Sequence, residues 1–150
     1  PYTAERPGSL PVLQVLRAAF EHRYGDSFEE QRRFYMAKCG LMAYAGTNDG
    51  RVIGRRIAEG DREAELAYRG MAYQISKEIG ALSVVLGGKV DAILLTGGLA
   101  YDKQLMGWIE AQVGHIAPVH IYPGEDEMLA LTMGALRVLR GQEEILEYHA

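Results

Sequence analysis

Three short polar stretches have residue types and spacing suited to gripping an anion: Thr96-Gly97-Gly98 with Asp102 four residues beyond, the acidic run Glu125-Asp126-Glu127, and Asn48-Asp49-Gly50-Arg51. Glycines placed directly after an apolar run accept positive φ and let backbone amides approach a ligand with no Cβ in the way. A helix beginning near Asp102 would aim its free N–H groups and positive dipole end into the same crevice. That chemistry suits a nucleotide phosphate or ribose; the bland alternative is a tight strand-to-helix turn. Carboxylates at 125–127 suit Mg²⁺, which keeps several waters and takes one or two protein carboxylates together with substrate phosphates. Acids in the first turn of a helix also favour its dipole with no metal present. In the third stretch Asp49 is suited to accept from a ribose or amine, and Arg51 to lie along an adenine or pair with a phosphate. The same tetrapeptide reads equally as an N-cap followed by an exposed arginine.

The elements that must position these residues follow from periodicity. Residues 1–11, with three prolines, read as an extended arm. Val12 to about Glu21 repeats at helical spacing, and Ser27 with Glu30 forms a capping-box pattern opening a helix through Tyr35. GLMAYAGTND, residues 40–49, reads as a buried loop, followed by a helix over about 49–58 that turns Val52, Ile53 and Ile57 inward. The clearest helix runs from Asp61 to Leu86, with Ala64, Tyr68, Met71, Ile75, Ile79, Leu82 and Leu86 on one stripe.

Beyond Gly87-Gly88 the period changes. Residues 90–95, VDAILL, read as a strand buried on both faces; Leu105, Met106, Ile109 and Val113 mark a helix; and residues 116–122, IAPVHIY, read as a second strand. A last helix from about Glu125 to Arg140 is expected to turn Met128, Leu129, Leu131, Leu136 and Leu139 inward. Strand, helix, strand, helix implies two parallel strands joined by a right-handed crossover. Two strands do not complete a sheet, so the rest is missing here or supplied by another chain. Both strands deliver their carboxyl ends to the edge where ligands of open α/β sheets bind, and the glycine turn and the acids lie there.

At 150 residues, 48% hydrophobic and 24% charged, the chain suffices for one globular domain. A net charge of −4 in mixed-sign stretches excludes a basic nucleic-acid footprint, and no apolar run is long enough to span a bilayer. One cysteine, Cys39, agrees with a reducing compartment, and a cytoplasmic location is the expectation. The start at Pro1 reads as a cut or processed end rather than a signal peptide. The four histidines, His22, His115, His120 and His149, have no metal-ligand spacing. An incomplete sheet with free edges argues for self-association, as in a homo-oligomer, or for poor solubility.

The stretches ERPGSLPV, AKCGLMAYAGTNDGR, AYQISKEIGAL, KVDAILLTGGLAYDK and IAPVHIYPGEDEMLALTMGALRVLRGQEE together resemble the C-terminal half of the butyrate kinases, across nearly all of residues 5–148. These belong to the acetate kinase family of the acetate and sugar kinase, heat-shock and actin superfamily. The resemblance implies an α/β, ribonuclease H-like fold, with residues 12–150 as the C-terminal nucleotide-binding domain of a two-domain carboxylate kinase. It implies reversible phosphoryl transfer between butyryl phosphate and ADP, with Mg²⁺; isobutyrate or acetate kinases are the near alternatives, and a non-catalytic oligomerisation module the distant one. Residue by residue, it implies that Gly97, Gly98, Leu99 and Ala100 wrap the adenosine or α-phosphate, and that Asp49 and Arg51 line adenine and ribose. Asp126 or Glu127, with Glu125 behind them, matches the magnesium-associated acid. The arginine, histidine and aspartate that act on the phosphoryl group belong to the N-terminal half, which would precede Pro1. One departure stands out: Lys38-Cys39-Gly40-Leu41 replaces a Lys-Gly-Gly-Leu run, so a side chain at 39 is expected to crowd a tight turn.

Overall fold

A computed structural model describes residues 1–124 and 126–145. Seven helices and two strands follow one another as α1 Val12–Phe20, α2 Phe28–Ala37, α3 Leu41–Ala45, α4 Gly50–Ala58, α5 Arg62–Val85, β1 Ile93–Gly97, α6 Lys103–Val113, β2 Val119–Pro123 and α7 Glu127–Leu139. A 3-10 turn, Gly98–Tyr101, joins β1 to α6.

Local chemistry sets most of these boundaries. The Ser27 hydroxyl accepts from Glu30 N, and the Glu30 carboxylate accepts from Ser27 N, so the expected capping box opens α2. Asp61 opens α5 by accepting from Ala64 N at 3.0 Å, and its other oxygen takes the Arg56 guanidinium at 2.7 Å. The end of α4 is thereby tied to the start of α5. β1 and β2 pair in parallel, Ile93 opposite Val119 through Gly97 opposite Pro123, with α6 as the crossover.

The core lies where α5 packs on α3, α4 and α6. Leu41, Ile53, Tyr68, Met71, Leu105, Ile109 and Val113 are fully buried there. All but Leu41 come from an apolar stripe, so helical spacing identified the right faces of α4, α5 and α6.

Three expectations are corrected. Residues 41–45 are not loop but α3, whose first amides are capped from far away: Leu41 N and Met42 N donate to the carbonyls of Thr3 and Ala4, both at 3.0 Å. A five-residue helix has no period to read, and its cap lies in the 1–11 segment, which holds neither helix nor strand. β1 is buried on one face only, since Leu94 is 64% exposed while Ile93 is buried. α7 turns none of its expected residues into a core: Met128, Leu129, Leu131 and Leu139 are exposed and Leu136 only half-buried. Most of the α1 stripe, Val12, Leu13, Leu16 and Phe20, and the far end of the α5 stripe, Leu82 and Leu86, are exposed as well. Periodicity marks the face that seeks a partner, and burial needs the partner to be there.

The crowding expected at Cys39 does not arise. Gly40, not Cys39, takes the positive φ of +62°, and a Cβ at position 40 would lie 2.1 Å from the Thr3 carbonyl oxygen. Cys39 is buried with an ordinary φ, its N–H donating to the Glu5 carbonyl at 2.9 Å.

Candidate functional site

β1 ends at Gly97, whose φ of +92° and ψ of 179° are open only to glycine and swing the chain out of the sheet into the 3-10 turn. Asp102 then opens α6. Its Oδ1 accepts from Gln104 N at 2.9 Å and Leu105 N at 3.1 Å. The expectation that α6 offers free amides to a ligand is thus corrected: a carboxylate of the chain itself already holds two of them.

Across from this turn stands the start of α4. Asp49 Oδ1 accepts from Arg51 N at 2.9 Å, which is the N-cap, and the guanidinium folds back so that Nε reaches Oδ1 at 3.0 Å and Nη2 reaches Oδ2 at 2.7 Å. Asp49 and Arg51 are therefore each other's partners, with the Arg51 side chain 89% exposed at the rim. Those guanidinium bonds, seconded by the Arg51 amide, pull the Asp49 carboxyl down to about 2.

Between the two helix starts lies a cavity of about 510 Å³, lined by Asn48, Asp49, Gly50, Arg51, Gly98, Leu99, Tyr101 and Asp102. Beside it a second cavity of about 530 Å³ is lined by Thr96, Gly97, Tyr122, Pro123, Gly124, Asp126, Glu127 and Ala130. Each is large enough for part of a nucleotide-sized ligand. They adjoin through the Gly97–Gly98 peptide. Gly97 and Gly124 exchange backbone hydrogen bonds there, Gly97 N to Gly124 O at 3.2 Å and Gly124 N to Gly97 O at 3.3 Å.

Of the residues singled out in the sequence, Asp49, Arg51, Gly98 and Leu99 come together in the first cavity, and Gly97, Asp126 and Glu127 in the second. Gly98 and Asp126 face neighbouring spaces rather than one. Ala100 lines neither cavity: at 3% exposure its side chain belongs to the core. Glu125 and His149 lie outside the described residues.

Several lining or supporting residues escaped the sequence reading. Asn48 and Gly50 belonged to a stretch singled out in the sequence but were given no ligand-binding role there, and Tyr101 had only its adjacency to the glycine turn as a signal. Tyr68 had none: it was one member of an apolar stripe, yet its hydroxyl donates to Asp102 Oδ2 at 2.8 Å across 34 residues. Burial, together with the Asp102 carboxylate, raises the Tyr68 pKa far above its ordinary value, so the hydroxyl keeps its proton.

No cluster of three or more His, Cys, Asp or Glu side chains suited to a metal ion occurs among the described residues. The exposed pair Asp126 and Glu127 beside Thr96 is nevertheless a fitting donor set for Mg²⁺ that arrives with phosphate oxygens and retains its waters.

With this geometry in view, the fold of the chain is that of the corresponding part of solved acetate kinases. Acetate kinase from Porphyromonas gingivalis superposes with a TM-score of 0.74 at 19% identity, over 89% of this chain and 40% of that one. Acetate kinase from Entamoeba histolytica superposes with a TM-score of 0.75 at 17% identity, over 89% and 41% respectively. The chain belongs to the acetokinase family, whose model matches residues 15–117. It is 50% identical over 143 residues to the probable butyrate kinase 2 of Caldanaerobacter subterraneus subsp. tengcongensis, covering 95% of this chain and 40% of that protein. It is 46% identical over 147 residues to butyrate kinase 2 of Clostridium acetobutylicum, covering 98% of this chain and 41% of that protein. The chain thus spans about 40% of the length of these curated relatives. No helix among the described residues is long and apolar enough to cross a membrane.

Proposed function

We propose that this chain is the ADP/ATP-binding portion of a butyrate kinase, a phosphotransferase that moves a phosphoryl group between butyryl phosphate and ADP to yield butyrate and ATP. The observation that carries the reading is the meeting of Asp49, Arg51, Gly98 and Leu99 in one cavity, adjoining a second that holds Asp126 and Glu127. Adenosine fits the first, with Leu99 as an apolar wall, and Asp49 and Arg51 as polar groups for ribose and base. The phosphates then pass the Gly97–Gly98 turn, where no Cβ obstructs them, toward the acids.

In the transfer, the bond from phosphorus to the acyl oxygen breaks as one to a β-phosphate oxygen of ADP forms, and the carboxylate leaves with the electron pair. Catalysis of such a step rests on positioning and on neutralising charge at the equatorial oxygens. The residues of this chain bind and orient the nucleotide; Asp126 or Glu127 would hold Mg²⁺, which supplies charge neutralisation when bound. Groups that act on the transferring phosphoryl, and the acyl pocket, belong to the part of the parent beyond these residues, so the 150-residue chain alone is expected to turn over at background rate. A kinase for isobutyrate or acetate would share this nucleotide half. Exposed apolar faces on α1, α7 and the sheet support packing against the remainder of the parent and assembly into a homo-oligomer. The lone buried Cys39 supports a reducing, cytoplasmic setting.

Titration with ADP and Mg²⁺, followed by the thermal midpoint of the chain, tests the reading. A saturable rise is expected, reduced when Asp126→Asn and Glu127→Gln are combined or when a chelator is present. A midpoint unmoved at millimolar nucleotide would leave a non-catalytic assembly module as the better account.

A further inference from the structure

Behind the first cavity lies a residue that does not line it. Tyr68, fully buried on α5, stands between its two walls. On one side its hydroxyl donates to Asp102 Oδ2, while Asp102 Oδ1 holds the first amides of α6. One carboxylate thereby joins α5, the end of the 3-10 turn and the start of α6. On the other side, Gly50 is the first residue of α4, and a Cβ built on it would lie 2.9 Å from the Tyr68 hydroxyl oxygen and 3.1 Å from Leu99 Cδ2. The start of α4 can approach this closely only because position 50 has no side chain.

The far end of the tyrosine is fixed too. Its ring meets Trp108 edge-on, centroids 6.0 Å apart at 76°, and the Arg69 guanidinium lies 4.2 Å above the indole. The hydroxyl is therefore held by its ring on one side and by a charge-assisted hydrogen bond on the other. Side chains locked in this way carry the precision that a binding constellation needs.

We propose that Tyr68 is a positioning residue for the nucleotide, a buried strut whose hydroxyl sets the gap between the Asn48–Arg51 wall and the Gly98–Asp102 wall, with Gly50 as its required counterpart. The inference rests on the nucleotide reading given above and adds what determines the size of that pocket. Tyr68 touches no substrate; it acts through Asp102, Leu99 and the first turn of α4. A gap fixed from behind selects for a group of one thickness, such as a planar base over a ribose, and a side chain at position 50 narrows it.

A mutant cycle read by calorimetric titration of the full chain with ADP and Mg²⁺ tests this. Tyr68→Phe keeps the ring and removes only the strut's tip, and is expected to weaken binding about three- to tenfold. Gly50→Ala is expected to weaken it more than about tenfold. The double variant is expected to bind more tightly than Gly50→Ala alone, because the ring carbon behind the lost hydroxyl lies 3.8 Å from the new methyl, ordinary contact distance. A purely structural tyrosine would lower the melting temperature of Tyr68→Phe and leave its affinity within twofold of wild type; that result overturns the inference alone. Affinity losses of the two substitutions that simply multiply in the double variant also overturn it, and should Gly50→Ala not fold, Tyr68→Phe and Asp102→Asn decide by the same affinity criterion. Absence of binding by the wild-type chain overturns the nucleotide reading, and this inference with it.

Discussion

The hydroxyl of Tyr101 lies 3.3 Å from the point where a Cβ on Gly124 would stand, so a side chain lining one cavity faces the space a side chain at position 124, in the lining of the other, would take. The contact occurs where the Gly97–Gly124 backbone bonds close the end of the sheet. A ligand that runs from the first space to the second must cross this seam.

Substitution at the seam is therefore expected to separate the two parts of a nucleotide. Gly124 has φ of +124°, and alanine there would strain the backbone by about 1–3 kcal/mol and press on Tyr101. Gly124→Ala should weaken ADP by a larger factor than adenosine. Competition titrations with the two ligands check this; equal losses would mean that the phosphates do not pass the seam.

The Asp49–Arg51 pair gives a pH prediction. The folded pKa of Asp49 is depressed to about 2 from an ordinary 3.8, so its stabilising contribution is complete above the unfolded value and is lost as pH falls through about 2. Carboxyl NMR titration of the wild-type chain should place Asp49 near 2, and Arg51→Ala should return it toward 3.8 because the guanidinium bonds are the largest cause. Nucleotide binding should then owe no pH dependence to Asp49 around neutrality.

Position 40 and not position 39 is the constrained one. Gly40→Ala would combine positive φ with a methyl driven into the Thr3 carbonyl, at a cost of about 2–5 kcal/mol. Cys39→Gly should cost about 1 kcal/mol through lost burial. Urea denaturation of both variants distinguishes the two positions.

The exposed face of α7 predicts association. Leu131→Glu, at a side chain 69% exposed, should leave the melting temperature unchanged and reduce self-association in sedimentation velocity. In a full-length parent the same change should destabilise, if that face is covered there.

How much of this was legible beforehand depends on how local each cause is. The Ser27 capping box, the helical stripe through Tyr68 and Met71, and the parallel pair with its glycine turn are written in neighbouring residues, and the structure holds them within a few positions of where periodicity put them. The gathering of Asp49 and Arg51 with Gly98 was implied only by the family resemblance, since nothing in the spacing of the two stretches brings them together. What was not legible is non-local. α3 is capped from Thr3 and Ala4, Asp102 is held by a tyrosine 34 residues away, and Ala100 is buried in a 3-10 turn that dipeptide chemistry does not announce. Leu94 and the apolar face of α7 were misplaced for another reason: a stripe tells which side seeks cover, and the described residues do not supply it.

The central claim is that one nucleotide bridges both cavities. Amide chemical-shift mapping of the ¹⁵N-labelled chain on addition of ADP and Mg²⁺ tests it most directly. The account predicts shifts at Asp49–Arg51 and Gly98–Tyr101 together with Gly97, Asp126 and Glu127, all saturating with one affinity. Shifts confined to the separate apolar cavity around Tyr24, Phe34 and Tyr35, or no shifts at all, would contradict it.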